Sequence, residues 1–337
     1  MSPFKLLVAG LLALSACAVS PGIGTVDQSI IGGTTAQPSD YPTVVELEGQ
    51  PTAFECTGTL IDPSWVMTAA HCFEQLTATT GHIRIDGNNM LTNPTGTVIG
   101  IKSVHVDPQW TGATNWTWTH DMSLVELKTP ITNHPPTRLY LDAVTPGTTV
   151  ITVGYGNSDN MNGGAGILRQ LTTPTMDCAA TTDPLMKNEN VMCFDGRDNT
   201  SSCYGDSGGP AFLDVGGVRT IAGETSGGTL QTQACTGANA FYAYTEVSAE
   251  LAFIQQYVPG AIANGVHAGG GGGSGSGGEG GGSGSGSDTG SGSGSGSGSS
   301  GVAGSDEITG GCHAGGGSPG LLISVLGLTL VWRRRTR

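Results

Sequence analysis

Basic residues are scarce in this chain. Thirteen Lys and Arg stand against 27 Asp and Glu in 337 residues, a formal net charge of −14. A surface that grips phosphates needs a net positive face, so nucleic acid is not expected as a partner. Apolar residues make up only 37% of the chain, below the roughly 45–50% of an ordinary globular domain. Long apolar runs are also few. Leu6–Leu14 is too short for a stable transmembrane helix, and the uncharged stretch Ala314–Trp332 is barely long enough. There is no H-E-x-x-H motif and no EF-hand loop, so neither a metal nor any other cofactor is expected.

Glycine is abundant, and its placement separates the chain into unlike parts. Of 57 Gly, 26 fall between Gly265 and Gly317. Residues 265–311 are Gly/Ser-rich with almost nothing apolar, too little to offset chain entropy, and read as a flexible linker. The charge is distributed differently. Residues 30–264 hold eight basic and 22 acidic side chains, so the whole net charge belongs to that segment. Length alone allows the chain about two domains, and residues 30–264 are its working part.

The two ends read as address labels. Lys5 followed by Leu6–Leu14 has the charge and apolar core of an export signal covering residues 1–18. Ala16-Cys17-Ala18 offers an A-x-A cleavage site. Leu14-Ser15-Ala16-Cys17 also resembles the lipobox of bacterial lipoproteins, in which the Cys is lipidated. Both exits stay open. At the other end, Cys312, the apolar run Leu321–Trp332 and Arg333-Arg334-Arg335 form a module over 312–337. It resembles the Cys–helix–Arg sorting tails of myxobacterial-type exported proteins, the Arg cluster lying on the cytoplasmic side. The expectation is an exported protein at a bacterial cell surface or outer membrane, tethered through lipidated Cys17, the tail, or both, or released outside the cell.

Within residues 30–264, short runs rich in Val, Ile and Thr recur: Thr43–Leu47, Thr97–Ile101, Leu124–Leu127 and Thr148–Val153. Gly, Pro, Asn and Asp punctuate them, the pattern of an all-β sandwich or barrel. One helix is expected over Ser248–Val258. Ser248 would be its N-cap, Leu251, Ile254 and Val258 share one face, and Pro259-Gly260 would end it.

Three segments carry chemistry: Thr68-Ala69-Ala70-His71-Cys72, then His120-Asp121-Met122-Ser123-Leu124, then Cys203-Tyr204-Gly205-Asp206-Ser207-Gly208-Gly209-Pro210. Taken singly, each has an ordinary reading as packing, turn or loop. Together, in the order His, Asp, Ser, they resemble the chymotrypsin/trypsin family of serine endopeptidases, and the likeness runs from Ile30-Ile31-Gly32-Gly33 to the terminal helix. Gly205–Gly209 also fits G-x-S-x-G, but that hydrolase fold needs a His after the Ser within the core. Only His267 and His313 follow Ser207, beside the linker and in the tail. The other histidines, His120 among them, are read as structural or exposed.

The resemblance implies two antiparallel six-stranded barrels over about 30–140 and 145–247, with the cleft between them. His71 would be the general base, Asp121 its orienting acid, Ser207 the nucleophile, and the N–H groups of Gly205 and Ser207 the oxyanion hole. It pairs the six domain cysteines as Cys56–Cys72, Cys178–Cys193 and Cys203–Cys235, where sequence alone allows 15 pairings. It makes residues 19–29 a propeptide, with a freed Ile30 ammonium burying against Asp206. Gln28-Ser29 stands where the family commonly has a basic residue. It places Ser201 at the base of the primary pocket, and Ser226, Gly227 and Gly228 along the substrate. With no acid at that base, Lys or Arg is not expected at the cleaved bond. An open mouth at Gly228 favours large apolar side chains, and that is the expectation; Tyr242 inside the pocket would favour small ones instead. The 81–96 loop lacks the paired Glu of the family's calcium site. The aromatic cluster Trp110, Trp116 and Trp118 reads as a loop anchor. Peptide or protein substrates and a monomeric catalytic domain complete the expectation.

Overall fold

The computed structural model describes residues 30–49, 53–88, 94–112, 117–158, 164–187, 190–229 and 235–269. The expected signal, propeptide and sorting tail, the linker from residue 270 on, Cys17, Cys312 and Trp116 lie outside the described residues.

Among the described residues, fourteen strands build the domain. Six of them, β2 (Val44–Gly49), β3 (Ala53–Asp62), β4 (Trp65–Thr68), β5 (Gly81–Ile85), β6 (Thr97–Val106) and β7 (Ser123–Leu127), close into a barrel in the order β2-β3-β4-β7-β6-β5. All its pairings are antiparallel. β2 is buried along its whole length, whereas β6 keeps exposed positions such as Val98 and Val106. Side chains alternate along a strand. Val45, Leu60, Val66 and Val125 accordingly fill the barrel interior. Their chain neighbours Val44, Ile61, Met67 and Leu124 join a second cluster outside it.

That second cluster is the seam. It also contains Val153, Phe212, Ile221, Val247, Phe253 and Ile254 from the C-terminal half. The strands there are β1 (Thr34–Thr35), β8 (Arg138–Leu139), β9 (Thr149–Gly154), β10 (Arg169–Pro174), β11 (Val191–Asp195), β12 (Pro210–Val215), β13 (Val218–Gly228) and β14 (Phe241–Glu246). They form one eight-stranded sheet in the order β1-β10-β9-β12-β13-β14-β11, with β8 parallel to β13. Closure is therefore seen for the first barrel, and the second is a half-barrel sheet. Its boundary also differs from expectation, since β1, although N-terminal, pairs with β10 in this second sheet.

The C-terminal segment is broken in two. A 3-10 turn (Val247–Ala249) leads into α1 (Leu251–Tyr257), and α2 (Pro259–Ala263) follows. Ser248 is not the N-cap. Its hydroxyl donates to Glu246 at 2.9 Å, and Glu250 holds the cap position of α1. Pro259 starts α2 rather than stopping α1, because the first helical position needs no N–H donor. Leu251, Ile254 and Val258 do share the inward face. The packed chain extends past residue 264. The Val266 N–H donates to Leu139 O at 2.8 Å, and the Leu141 N–H to Val266 O at 2.9 Å.

Candidate active site

The three motifs meet where the barrel faces the half-barrel sheet. His71 opens a 3-10 turn (His71–Glu74) just after β4, and Cys72 ties that turn to Cys56 of β3. Asp121 precedes β7, and Ser207 lies in the turn before β12. The other two disulfides are Cys178–Cys193 and Cys203–Cys235. The last ties the segment leading to Ser207 to the chain preceding β14.

Asp121 is fully buried. Its Oδ1 accepts the backbone N–H of His71 at 2.9 Å, and its Oδ2 lies 2.8 Å from His71 Nδ1. Ser226 Oγ donates to the same Oδ2 at 2.6 Å. Three donors converge on one carboxylate, the arrangement that makes a buried charge tolerable. With the carboxylate accepting, the proton sits on Nδ1 and Nε2 is left as a base. His71 and Ser207 line one cleft of about 370 Å³ with Trp118, Tyr204, Ser226, Gly227, Gly228 and Tyr242. Trp118 is thus part of the cleft wall as well as an anchor, its Nε1–H donating to Asp183 at 2.9 Å. Trp110 lies outside the cleft wall, its Nε1–H donating to Glu74 at 3.3 Å.

The Ser207 turn hangs from the opposite barrel. The Thr57 N–H donates to Ser207 O at 2.9 Å, and Thr57 Oγ1 to Gly205 O at 2.8 Å. The Tyr155 N–H in turn donates to Thr57 Oγ1 at 3.1 Å. Gly205 has φ 93° and Gly208 φ 75°, conformations costly for residues with a Cβ. A Cβ on Gly208 would also lie 2.1 Å from Thr68 Oγ1. Among the described residues, nothing accepts from the N–H groups of Gly205 or Ser207. Asp206, between them, is buried. Its Oδ1 accepts from Gly156 N–H and its Oδ2 from Cys203 N–H, each at 2.8 Å. Burial pushes its carboxyl up to about 7 against the pull of those two amides and of Arg169. Ile30 is buried as well, and the Ser201 N–H donates to Ile31 O at 2.9 Å.

The pocket base differs from an open slot. Gly228 leaves a space, but the ring of Tyr242 takes it. A Cβ on Gly228 would stand 2.8 Å from Tyr242 Cδ1, and one on Gly196 only 2.2 Å from its Cε2. The ring lies between two glycines, and burial raises its phenol with the Ser201 hydroxyl partly opposing. Neighbouring Tyr244 meets the Ser202 hydroxyl in a short hydrogen bond.

Several buried acids near Asp121 escape any sequence pattern. Glu224 on β13 is fully buried, and neither carboxylate oxygen has a hydrogen-bond partner. Burial, then the charges of Asp121 and Glu250, hold it well above the usual carboxylate range. Asp107 and Glu250 are buried beside His120, which is half-buried and bound to Glu250 rather than exposed. A buried acid on a strand looks like any solvent-facing one until the opposing sheet is in place.

An all-β barrel and half-barrel, with His, Asp and Ser motifs converging on their cleft, define a serine-peptidase architecture. The model of the family described as Trypsin matches residues 30–254. Coagulation factor IX of Oryctolagus cuniculus is 32% identical over 240 residues, covering 65% of this chain and 81% of that one. Chymotrypsin-like elastase family member 1 of Canis lupus familiaris is 27% identical over 245 residues, 68% of this chain and 92% of that one. The same elastase of Macaca fascicularis is 28% identical over 246 residues, 68% of this chain and 89% of that one. The chain belongs to the trypsin family. It is a serine peptidase with peptide or protein substrates, and its three disulfides fit an oxidising compartment.

Proposed function

We propose that the chain is an exported serine endopeptidase working through His71, Asp121 and Ser207. The observation that carries the reading is the Asp121 carboxylate, buried and bound to His71 Nδ1 at 2.8 Å on the cleft that Ser207 also lines. A Ser hydroxyl is a weak nucleophile and needs a base to take its proton. His71 Nε2 takes it as Ser207 Oγ attacks the carbonyl carbon, and Asp121 stabilises the imidazolium. The carbonyl oxygen, now negative, is received by the N–H groups of Gly205 and Ser207, with each such donor worth about 3–4 kcal/mol in a related case. The imidazolium then protonates the leaving amine, and water repeats the sequence to release the acid.

The test is labelling with a fluorophosphonate. Mature chain modified at Ser207, and unmodified once His71→Ala is made, supports the reading. Folded mature chain that stays unlabelled favours the alternative, a silent surface binding protein that keeps the fold.

The pocket geometry favours small apolar side chains at the cleaved bond over large ones, because Tyr242 occupies the room that Gly228 leaves. Ser201 at the base supplies no charge for Lys or Arg. Activation follows from cleavage before Ile30, whose ammonium would supply buried Asp206 with a counter-charge. Active enzyme beginning at Val19 or earlier would overturn that step. Tethering at a bacterial surface rests on Cys17 and on the Cys312 tail. A monomer is the expected catalytic unit.

A further inference from the structure

Behind the catalytic cleft, three chain segments bring ligand-type side chains to one point. Asp107 follows β6, His120 sits immediately before Asp121, and Glu250 caps α1. One ligand atom from each lies within 4.8 Å of the others. Asp107 and Glu250 are only 1% and 2% exposed. Asp107 Oδ1 accepts the Gln109 N–H at 2.7 Å, but its Oδ2 is buried with no hydrogen-bond partner. Glu250 Oε1 stands 3.1 Å from His120 Nδ1. Among the described residues, no Lys or Arg forms an ion pair with either carboxylate. Two carboxylates taken out of water without a cation are costly.

We propose that Asp107, His120 and Glu250 form a binding site for one divalent transition-metal ion of the Zn²⁺ class. One imidazole nitrogen and two carboxylate oxygens suit such an ion better than Ca²⁺, which takes six to eight oxygens. At metal–ligand distances of about 2.0–2.2 Å, the three donors, now within 4.8 Å of one another, would close in around the ion. The His120 side chain is 20% exposed, which gives the ion a route from solvent and leaves a coordination position for water. Among the described residues, the other cluster of metal-ligating residue types, Cys56, His71 and Cys72, is no competitor, because its sulfurs are joined in a disulfide. An ion here would tie α1 to the residue beside Asp121, so its role is to hold the acid of the triad in place and not to take part in bond cleavage.

Full-length chain carrying Ser207→Ala, stripped with chelator, is dialysed against low-micromolar Zn²⁺ and analysed for bound metal and thermal stability. One equivalent is expected, with Tm raised by roughly 5 °C or more at a hundredfold excess over Kd. Asp107→Asn/Glu250→Gln should abolish both effects, while His71→Ala and Cys17→Ser/Cys312→Ser retain them. The proposal falls if the parent chain binds no stoichiometric metal, the result expected if Asp107 and Glu250 merely share a proton. It falls also if binding survives Asp107→Asn/Glu250→Gln. Should that variant fail to fold, Co²⁺ added to the parent chain decides. A visible ligand-field spectrum without thiolate charge transfer, lost in His120→Ala, supports the site, and no spectral change overturns it.

Discussion

Ser226 Oγ donates to Asp121 Oδ2 at 2.6 Å. The donor belongs to β13 in the half-barrel sheet and the acceptor to the barrel, so one bond fixes the His71-bound carboxylate across the seam. Ser226→Ala should lower kcat about tenfold with KM little changed, since a hydrogen bond to a charged group contributes about 1.5–3 kcal/mol. Steady-state kinetics on a peptide substrate checks it. Asp121→Asn should cost far more, about 10⁴ in kcat, because it also reverses the imidazole tautomer.

Tyr242→Ala should redirect specificity. Removing the ring between Gly228 and Gly196 opens the pocket base. The ratio of kcat/KM for Phe or Leu over Ala at the cleaved bond should rise at least tenfold, the scale of about 1–3 kcal/mol for apolar pocket contacts. Stability should drop by about 3 kcal/mol as a buried ring is lost. The substrate ratio, read by peptide-library cleavage, is insensitive to that drop.

Glu46 gives a pH prediction. It is fully buried on β2, both its oxygens lack partners, and burial, then the Glu48 charge, pushes it up to about 9. The folded state holds this proton more tightly than the unfolded chain, whose Glu titrates near 4.3. Folding stability from this group is therefore fully present at low pH and is lost as pH rises from about 4.3 through about 9. Glu46→Gln should flatten that loss. The difference in Tm between variant and parent, measured from pH 5 to 9, should grow with pH. A constant difference would show that Glu46 does not titrate in that window.

Cys203–Cys235 closes 32 residues around the cleft wall. Cys203→Ala/Cys235→Ala should cost up to about 4 kcal/mol by the chain-entropy account. KM should rise at temperatures where the domain stays folded, because Cys203 and Cys235 both line the pocket. Denaturant melting and kinetics at 10–15 °C below Tm separate the two effects.

The sequence exposed the site's chemistry more fully than its surroundings. His71, Asp121 and Ser207 sit in short motifs whose flanking residues are themselves informative, and the six domain cysteines pair as the family likeness implies. The strands β2, β6, β7 and β9 were legible because Val, Ile and Thr recur there between Gly, Pro, Asn and Asp, a composition that suits a pleated strand. The terminal helix was legible by its apolar face but not by its cap, since Ser248 turned back to Glu246 instead of capping. Residues 265–268 looked like linker because glycine composition says nothing about a single Val266 reaching Leu139. Glu224 and Glu250 were invisible for a different reason. Their burial is imposed by strands and helices distant in the chain, and no local pattern encodes it.

Thr57 reaches from β3 to grip both carbonyls that flank Asp206, and Tyr155 holds Thr57 in turn. The Ser207 turn is thus shaped by a strand more than 140 residues earlier in the chain. Competence to hydrolyse is then a property of docking and not of either half. A chain nicked in the exposed connection between β7 and β8 should keep turning over while its halves stay together. The isolated C-terminal half, Ser207 included, should be inert.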